Sequence, residues 1–334
     1  MSPYPDLFAN PEGPGDGRPT AMQIISDEGV EGKLKGQVFV ITGTSSGLGI
    51  ETARTIAATG ATLYLTARDL NKAKSALEGI FDPSRMELFQ MDQDSFASVR
   101  EAAAAILQKT SKIHCLINNA GIMAIPELHF TADGHELQFG TNHLSHFLFF
   151  MMLKPALLNA ASPELPSRVV CLSSSGHNLH GLNDSDNYSF QQGGYDPRVA
   201  YAQSKTANIY MANEIERRYG TQHLHAYSVH PGLISTGLSR HMPPNSFSSM
   251  AFVKPMMKSP PQGAATTVWA AVGQEVLKNY GGKYLVDCDV AKPGTGDEHK
   301  FVANTYADWA YDTEKAERLW KDSLKIVGLE EEEQ

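Results

Sequence analysis

A glycine-rich turn between a buried strand and a helix constrains the fold of this chain more than any other feature of its sequence. The run at 37–41 is short, apolar and rich in β-branched residues, which is typical of a strand buried on both faces. A turn with glycines at 43, 47 and 49 follows, and a helical pattern then continues to Gly60. Glycines let a backbone turn sharply and approach a pyrophosphate, whose charge is stabilised at a helix N-terminus. The candidate phosphate-binding residues are Gly43, Ser45, Ser46, Gly47, Leu48 and Gly49.

Strands and helices alternate along most of the chain after this turn. The sequence patterns predict strands at 61–67, 86–91, 113–117, 168–173 and 224–229, and helices at 69–79, 94–109, 131–160 and 199–219. The third of these helices is expected to break near Pro155. Alternation of this kind predicts the α/β class, as a Rossmann-type, doubly wound parallel sheet with helices on both faces. A helix at 261–278, a strand near 283–287 and a helical segment around 304–326 complete the prediction.

We expect a single domain at 36–290 that binds the cofactor and carries catalysis. An irregular arm at 1–35 precedes it, rich in proline and glycine and without the features of a signal peptide, and a helical extension follows at 291–334. Segment 236–262 mixes prolines with bulky flexible side chains, which suits a substrate lid, although a loop packed on the core would have the same composition. Its distinctive residues are His241, Met242, Pro243, Pro244, Phe247, Met250, Phe252, Pro255, Met256 and Met257.

Composition excludes several classes of protein. The net charge of −9 and the absence of a long basic cluster argue against nucleic-acid binding. Three widely spaced cysteines indicate reduced thiols in an intracellular protein, so we expect a cytoplasmic location. The histidine pairs His143/His146 and His177/His180 have no accompanying ligand motif, and no metal site is expected. The longest apolar run, 147–153, is far too short for a membrane span.

The end of the second predicted strand bears on cofactor choice. Sites for NAD usually place an acid about 20 residues beyond the glycines to bind the ribose 2′-hydroxyl. Here the strand ends at Ala67 and Arg68, and Lys72 lies one helical turn later. Cations at these positions suit a 2′-phosphate and therefore favour NADP. The adjacent Asp69 is interpreted as the N-cap of the next helix.

Polar residues follow the third and fourth strands and occupy the helix after them. Asp92 closes the third strand and is equally suited to bind an adenine amino group or to cap helix 94–109. Asn119 lies in the small-residue run 118–121, where the backbone can approach a cofactor and the amide can brace neighbouring strands. Asn142 lies within predicted helix 131–160, where an asparagine needs a partner; bracing of nearby backbone is one explanation.

Two further groups of residues lie beyond the carboxyl ends of strands, where open α/β sheets bind ligands. Ser174 follows the fifth strand and can hydrogen-bond a substrate carbonyl, although serines there also form turns. After the sixth strand, Pro231-Gly232 makes a rigid turn that can seat a nicotinamide. Ile234 would then offer backbone groups to the carboxamide, and Thr236 a hydroxyl.

Tyr201 and Lys205 lie four residues apart, so they share one face of helix 199–219. A phenol normally has a pKa of about 10, and a nearby ammonium lowers it. The pair can therefore provide a tyrosine that exchanges a proton near neutral pH. On its own the spacing is weak evidence for catalysis, because such a pair is common on solvated helix faces.

Taken in order, these motifs resemble the short-chain dehydrogenase/reductase superfamily over residues 36–240. The matching motifs and residues are Thr42-Gly43-x3-Gly47-x-Gly49, Asn118-Asn119-Ala120-Gly121, Asn142, Ser174, Tyr201-x3-Lys205 and Pro231-Gly232. The surrounding sequence resembles the branch of retinol dehydrogenases and carbonyl reductases, which mostly use NADP(H). The resemblance implies that Tyr201 is the general acid/base and Ser174 orients the substrate oxygen. It also implies that Lys205 tunes Tyr201 and bonds the nicotinamide ribose, and that Asn142 holds a relay water.

The expected function is hydride transfer between NADP(H) and the carbonyl or alcohol of a hydrophobic small molecule. An epimerase or dehydratase on the same fold and a non-catalytic NADP-binding protein are the alternatives. The 27 residues between Ser174 and Tyr201 exceed the separation in many family members, so segment 176–198 is expected to loop out beside the pocket. Family members often form homo-oligomers through the helices that carry Asn142 and Tyr201, and the resemblance leaves this open for the present chain.

Overall fold

A central, mostly parallel sheet organises the chain. The structure, a computed structural model, describes residues 3–242, 251–295 and 303–330. Eight strands lie in the order β10-β9-β6-β5-β4-β1-β2-β3, and every neighbouring pair is parallel except β9 with β10. Their bounds are β1 Val38–Thr42, β2 Thr62–Ala67, β3 Met86–Gln90, β4 Cys115–Asn118, β5 Ser167–Leu172, β6 Leu224–His230, β9 Tyr284–Val286 and β10 Asp289–Val290. Two short pairs lie outside this sheet: β7 Leu233–Ile234 with β8 Met257–Lys258, and β11 Lys292–Pro293 with β12 Thr305–Tyr306.

Helices cover both faces of the sheet, as the α/β prediction requires. The α-helices are α1 Ala21–Asp27, α2 Leu48–Ala57, α3 Leu70–Ala76, α4 Phe96–Lys109, α5 Leu137–Phe139, α6 Ser145–Ala160, α7 Pro197–Tyr219, α8 Pro260–Gly263, α9 Ala265–Val272, α10 Gln274–Asn279 and α11 Thr313–Ile326. One apolar core contains residues of α4, α6, α7 and α11, and the other contains residues of α1, α2, α9 and α10. Strand β1 contributes side chains to both cores. Val38 and Val40 belong to the first core, and Phe39 and Ile41 belong to the second. The Rossmann-type fold is thereby confirmed.

The predicted helix at 131–160 is wrong only at its start, since residues 131–136 are not helical. Phe130 forms an isolated antiparallel bridge with Glu136, and the helical turns begin only at α5. A π-helical segment, Gly140–Leu144, joins α5 to α6. The proline at 155 lies inside α6, which continues through it to Ala160, so the expected break there is absent. The backbone of Gly134 has φ of 84°, outside the range of a right-handed helix, and Glu136 caps the start by accepting the backbone N–H groups of Gln138 at 3.0 Å and Phe139 at 2.7 Å.

The N-terminal arm is not irregular throughout. Helix α1 begins after Thr20, whose hydroxyl caps the backbone N–H of Gln23 at 3.2 Å. Ile24 and Ile25 are fully buried in the same core as α9. The arm therefore packs on the domain, and the boundary at residue 35 is a division of the sequence only.

The C-terminal extension is also part of the packed structure. Trp320 of α11 is 3% exposed and meets the ring of Phe147 edge-on, with 4.9 Å between ring centroids. The guanidinium of Arg218, at the end of α7, lies 4.8 Å from the Trp320 ring. Helix α11 therefore covers α6 and α7, the two helices that flank the candidate site.

The structure describes both ends of segment 236–262, which the sequence predicts as a substrate lid. Residues 237–241 form a 3-10 turn, and residues 254–256 form another before β8. Pro243, Pro244, Phe247 and Met250, on which the lid prediction partly rests, lie outside the described residues. In the described ranges, no helix is long and apolar enough to cross a membrane.

Because Trp320 joins α11 to the core, we expect Trp320→Ala to lower the free energy of unfolding by about 3–5 kcal/mol. Denaturant unfolding would measure it. Lys325→Ala, on the exposed face of the same helix, is the control and should change the value by less than about 0.5 kcal/mol. A Trp320 variant as stable as the control would contradict the packing described.

Candidate active site

The candidate residues gather around one cavity at the carboxyl edge of the sheet. Its volume is about 530 Å³, within the range of small-molecule sites. Fourteen of the sixteen sequence-predicted residues line it: Gly43, Ser45, Ser46, Gly47, Leu48, Arg68, Lys72, Asp92, Asn119, Ser174, Tyr201, Lys205, Ile234 and Thr236. Gly49 and Asn142 stand behind the cavity wall and support it through contacts described below.

The glycine turn has the local geometry that its sequence predicted. Gly43 and Gly47 have φ of 74° and 65°, in the left-handed region that other residues seldom adopt. A Cβ on Gly43 would stand 2.7 Å from the Cβ of Ala120, and one on Gly49 would overlap the carbonyl of Gly43. The turn is therefore closed against its neighbours, and it leads directly into the N-terminus of α2. This backbone fits a pyrophosphate.

Asn119 and Thr42 join the glycine turn to β4. The Asn119 amide donates to the Thr42 carbonyl at 2.8 Å, and its backbone N–H donates to Thr42 Oγ1 at 2.9 Å. The bracing role considered for this asparagine is thus observed. Fixing β1 against β4 holds the turn and the small residues beyond β4 around the same opening.

At the end of β2, two cations border the cavity. Arg68 and Lys72 both line it. Asp69 caps α3, with its carboxylate accepting the backbone N–H of Lys72 at 3.0 Å, as predicted. The capping role that the sequence analysis assigned to Asp69 is thus observed.

Asp92 is not the cap of α4. Ser95 occupies the N-cap and accepts from the Ser98 backbone N–H at 3.4 Å. Asp92 instead accepts from the Asp94 backbone N–H at 3.1 Å and borders the cavity. The capping alternative is wrong, because α4 starts two residues later than predicted. A contact with adenine stays a prediction.

Asn142 lies in the π-helical segment rather than in a regular α-helix. Its amide accepts the Ile122 backbone N–H at 2.9 Å and donates to the Ile122 carbonyl at 3.0 Å and to Ser204 Oγ at 2.9 Å. A Cβ on Gly121 would lie 3.2 Å from Asn142 Oδ1 and 3.5 Å from Lys205 Nζ. The amide therefore braces backbone beside the lysine, and its role in a water relay stays a prediction.

Tyr201 and Ser174 meet at the end of β5. Burial raises the pKa of Tyr201 to about 12, and its hydrogen bond with Ser174 opposes that rise. Ser174 Oγ also accepts the Gly176 backbone N–H at 3.0 Å. A Cβ on Gly176 would lie 3.1 Å from the Tyr201 ring, so a larger residue would crowd the pair.

Lys205 is buried and engaged with the backbone. Its ammonium donates to the Leu172 carbonyl at 3.0 Å and lies 5.5 Å from the centre of the Tyr201 ring. Burial lowers the pKa of Lys205 to about 8. Burial therefore acts against the charged form of both groups, and the tuning of Tyr201 by this lysine stays a prediction.

Sequence reasoning missed His177, which supports the serine. Its Nε2 accepts the Ala307 backbone N–H at 3.2 Å, so the proton is on Nδ1, which donates to the Ser174 carbonyl at 2.7 Å. Burial lowers the pKa of His177 to about 4, consistent with a neutral ring. The position of this histidine three residues after Ser174 was visible, but its partner Ala307 is distant in sequence.

A second missed residue is His146. Its Nδ1 donates to the Asn142 carbonyl at 2.9 Å, which leaves Nε2 to accept from Thr42 Oγ1 at 2.9 Å. It therefore joins the π-helical segment to β1. The sequence had raised this histidine only as a metal ligand. Among the described residues, no cluster of three or more His, Cys, Asp or Glu is placed to hold a metal.

Segment 176–198 was expected to lie beside the pocket, but it does not border the cavity. None of the lining residues in the described ranges belongs to it. It packs instead on α11, where Tyr188 donates to Asp322 at 2.7 Å and Ser185 does so at 2.5 Å. The segment is long because it reaches the C-terminal extension.

The chain is similar to known proteins along most of its length. A family model described as short chain dehydrogenase matches residues 37–246. The chain is 45% identical to the short-chain dehydrogenase/reductase prx1 of Penicillium roqueforti, over 98% of this chain and 96% of that protein. It is 34% identical to human retinol dehydrogenase 13, over 89% and 86% respectively. A solved structure of an uncharacterised Mycobacterium paratuberculosis protein superposes with a TM-score of 0.69 at 28% identity, covering 91% of this chain and 97% of that one.

The two hydrogen bonds of His177 can be separated by substitution. An asparagine places an N–H near Nδ1, whereas a glutamine places an oxygen near Nε2. We expect the Ala307 amide to exchange with solvent at least about tenfold faster in His177→Asn, which lacks its acceptor, than in His177→Gln. Hydrogen exchange would measure it, and equal exchange in the two variants would contradict the assigned tautomer.

Proposed function

This chain belongs to the short-chain dehydrogenase family, in its retinol-dehydrogenase-like branch, and we propose that it is an NADP(H)-dependent reductase of hydrophobic carbonyl compounds. The family binds a nicotinamide cofactor and acts on CH–OH and C=O groups. The observation that carries the finer proposal is the convergence of Tyr201, Ser174 and Lys205 on one cavity with the glycine turn. The proposal covers the choice of NADP, the role of the tyrosine and the class of substrate.

The choice of NADP rests on charge at the end of β2. A 2′-phosphate carries negative charge and strong acceptor oxygens, for which arginine is well suited. Arg68 and Lys72 supply two cations to the cavity wall, and Asp69 is occupied as a helix cap. An NAD site would need a free carboxylate for the ribose hydroxyl.

The role of Tyr201 follows from its protonation state. With a pKa of about 12 the phenol is protonated at neutral pH, which is the form that donates a proton during reduction. When bound, NADPH supplies the hydride. Tyr201 then delivers its proton to the substrate oxygen, which Ser174 orients and stabilises as negative charge develops. Lys205, whose ammonium lies 5.5 Å from the centre of the Tyr201 ring, would contribute a positive charge beside the tyrosine and bond the nicotinamide ribose.

The class of substrate is inferred from the cavity lining. Several apolar side chains border the same cavity: Ile122, Met123, Ile125, Leu137, Leu238, Met242 and Met257. Methionines provide a surface that adapts to irregular ligands. An apolar carbonyl compound would bury its hydrocarbon part here and direct its oxygen to Tyr201. A panel of apolar ketones and aldehydes assayed with NADPH and NADH tests the whole proposal, and the absence of turnover with either cofactor would overturn it.

We expect Tyr201→Phe to lower turnover by at least about 10³-fold with little change in the Kd for NADPH. Lys205→Met should instead weaken both, because it removes a group assigned to the ribose and to the tyrosine. Steady-state kinetics and NADPH fluorescence titration would separate the two effects. Normal turnover by the phenylalanine variant would exclude Tyr201 as the proton donor.

We expect Arg68→Ala to raise the Kd for NADPH about tenfold and to leave the Kd for NADH unchanged, because only NADPH carries the 2′-phosphate. The matched control is Lys74→Ala, which removes from the adjacent helix α3 a cation that does not line the cavity. An equal loss for both cofactors, or none for NADPH, would place the 2′-phosphate elsewhere.

A further inference from the structure

The N-terminal arm is bound to the segment around β8 by one buried arginine. The Arg18 side chain is 4% exposed. Its two terminal nitrogens donate to three successive carbonyls of that segment: to Pro255 at 3.3 Å, to Met256 at 2.9 Å and to Met257 at 2.6 Å. A guanidinium has enough donors in a fixed plane to serve several carbonyls at once, which a lysine cannot match.

The charge of Arg18 is balanced within the arm. Its Nε donates to Asp16 at 2.8 Å, and a terminal nitrogen donates to the Gly13 carbonyl at 3.0 Å. Burial alone would raise the pKa of Asp16, but hydrogen bonds from Arg18 and from the Glu12 and Arg18 backbone hold that pKa well below its ordinary value. A buried ion pair of this kind is costly to break, because removing one partner leaves the other charged and unpaired.

Gln262 of α8 provides a second connection between the same two segments. Its side chain is fully buried; the amide nitrogen donates to the Asp16 carbonyl at 3.0 Å, and the amide oxygen accepts the Gly15 backbone N–H at 2.9 Å. The same oxygen accepts from the Ser259 backbone N–H at 2.9 Å, immediately after β8. The arm at 13–18 is thus fixed to both ends of the stretch 255–262.

This stretch supports the wall of the cavity. Strand β8 pairs with β7, and its Met257 lies opposite Leu233 while Lys258 lies opposite Ile234. Both residues of β7 line the cavity, as does Met257. Lys258 also donates to the Pro231 carbonyl at 3.3 Å, at the turn that the sequence assigns to the nicotinamide. One short strand therefore separates the Arg18 guanidinium from the proposed nicotinamide seat.

The hydrogen bonds of Arg18 do not extend to the other end of the cofactor site. The glycine turn is held by Thr42, Asn119 and Ala120, and Arg68 follows β2 on the far side of β1. A disturbance at β8 should therefore reach the nicotinamide half of a bound dinucleotide and leave its adenosine half unchanged.

We propose that Arg18 is a positioning residue for the nicotinamide half of the cofactor site, acting through β8 and β7. The N-terminal arm is on this view a component of the active site. The inference rests on the proposed function, since it requires a dinucleotide bound with its nicotinamide beside β7.

Two ligands separate the halves of the site. NADPH engages both halves, whereas adenosine 2′,5′-bisphosphate carries only the adenosine end. In Arg18→Met we expect the Kd for NADPH to rise about tenfold and the Kd for adenosine 2′,5′-bisphosphate to stay within about twofold of wild type, by calorimetric or fluorescence titration. The matched control is Arg54→Met, which removes an exposed arginine of α2 and should change neither constant.

Arg18→Lys keeps the charge and the ion pair but cannot reach all three carbonyls, so it should give a smaller loss with the same selectivity. If Arg18→Met fails to fold, the two Kd values of Arg18→Lys provide the test of the inference. An unchanged Kd for NADPH, or an equal loss for both ligands, would overturn the inference while leaving the proposed function intact. A wild-type protein that bound neither NADPH nor NADH would overturn the proposed function and this inference together.

Discussion

The burial of the Lys205 ammonium is the constraint on which the rest of the site depends. A charged group 4% exposed must be compensated by oriented dipoles, and here the Leu172 carbonyl at the end of β5 provides one. That carbonyl also accepts from Asn208, and the Lys205 carbonyl accepts from Ser173. Helix α7 and strand β5 are therefore fixed to each other by the groups that keep the lysine paired. Tyr201 on α7 and Ser174 just beyond the end of β5 are brought together as a result.

Much of the sheet followed from the sequence because its strands are buried on both faces. A run such as Val38–Thr42 has no polar alternation and cannot be taken for a surface element. The glycine turn could also be predicted from the sequence. Few arrangements other than a closed strand–helix turn require left-handed backbone at both Gly43 and Gly47. The predicted strand bounds differ from the observed ones by at most two residues.

Other features could not be predicted because their partners are remote in sequence or because local signals were absent. Arg18 reads as a surface cation until the carbonyls of 255–257 are placed around it. The burial of Tyr201 and Lys205 shifts the pKa of each group against its charged form, and the spacing of the two residues in the sequence does not report this burial. Asp92 was a plausible cap of the helix predicted at 94–109, and only the observed start of α4, with Ser95 at its N-cap, excludes that role.

Helix α11 has a consequence for how the chain matures during synthesis. Trp320 covers Phe147 of α6 and the end of α7, yet it follows every strand of the central sheet in the sequence. A nascent chain that has already produced every strand of the sheet would still expose this apolar surface to the ribosome exit and to chaperones. The helix that carries Tyr201 and Lys205 gains its full packing only after α11 has left the ribosome, so the docking of α11 and the appearance of activity should coincide in time.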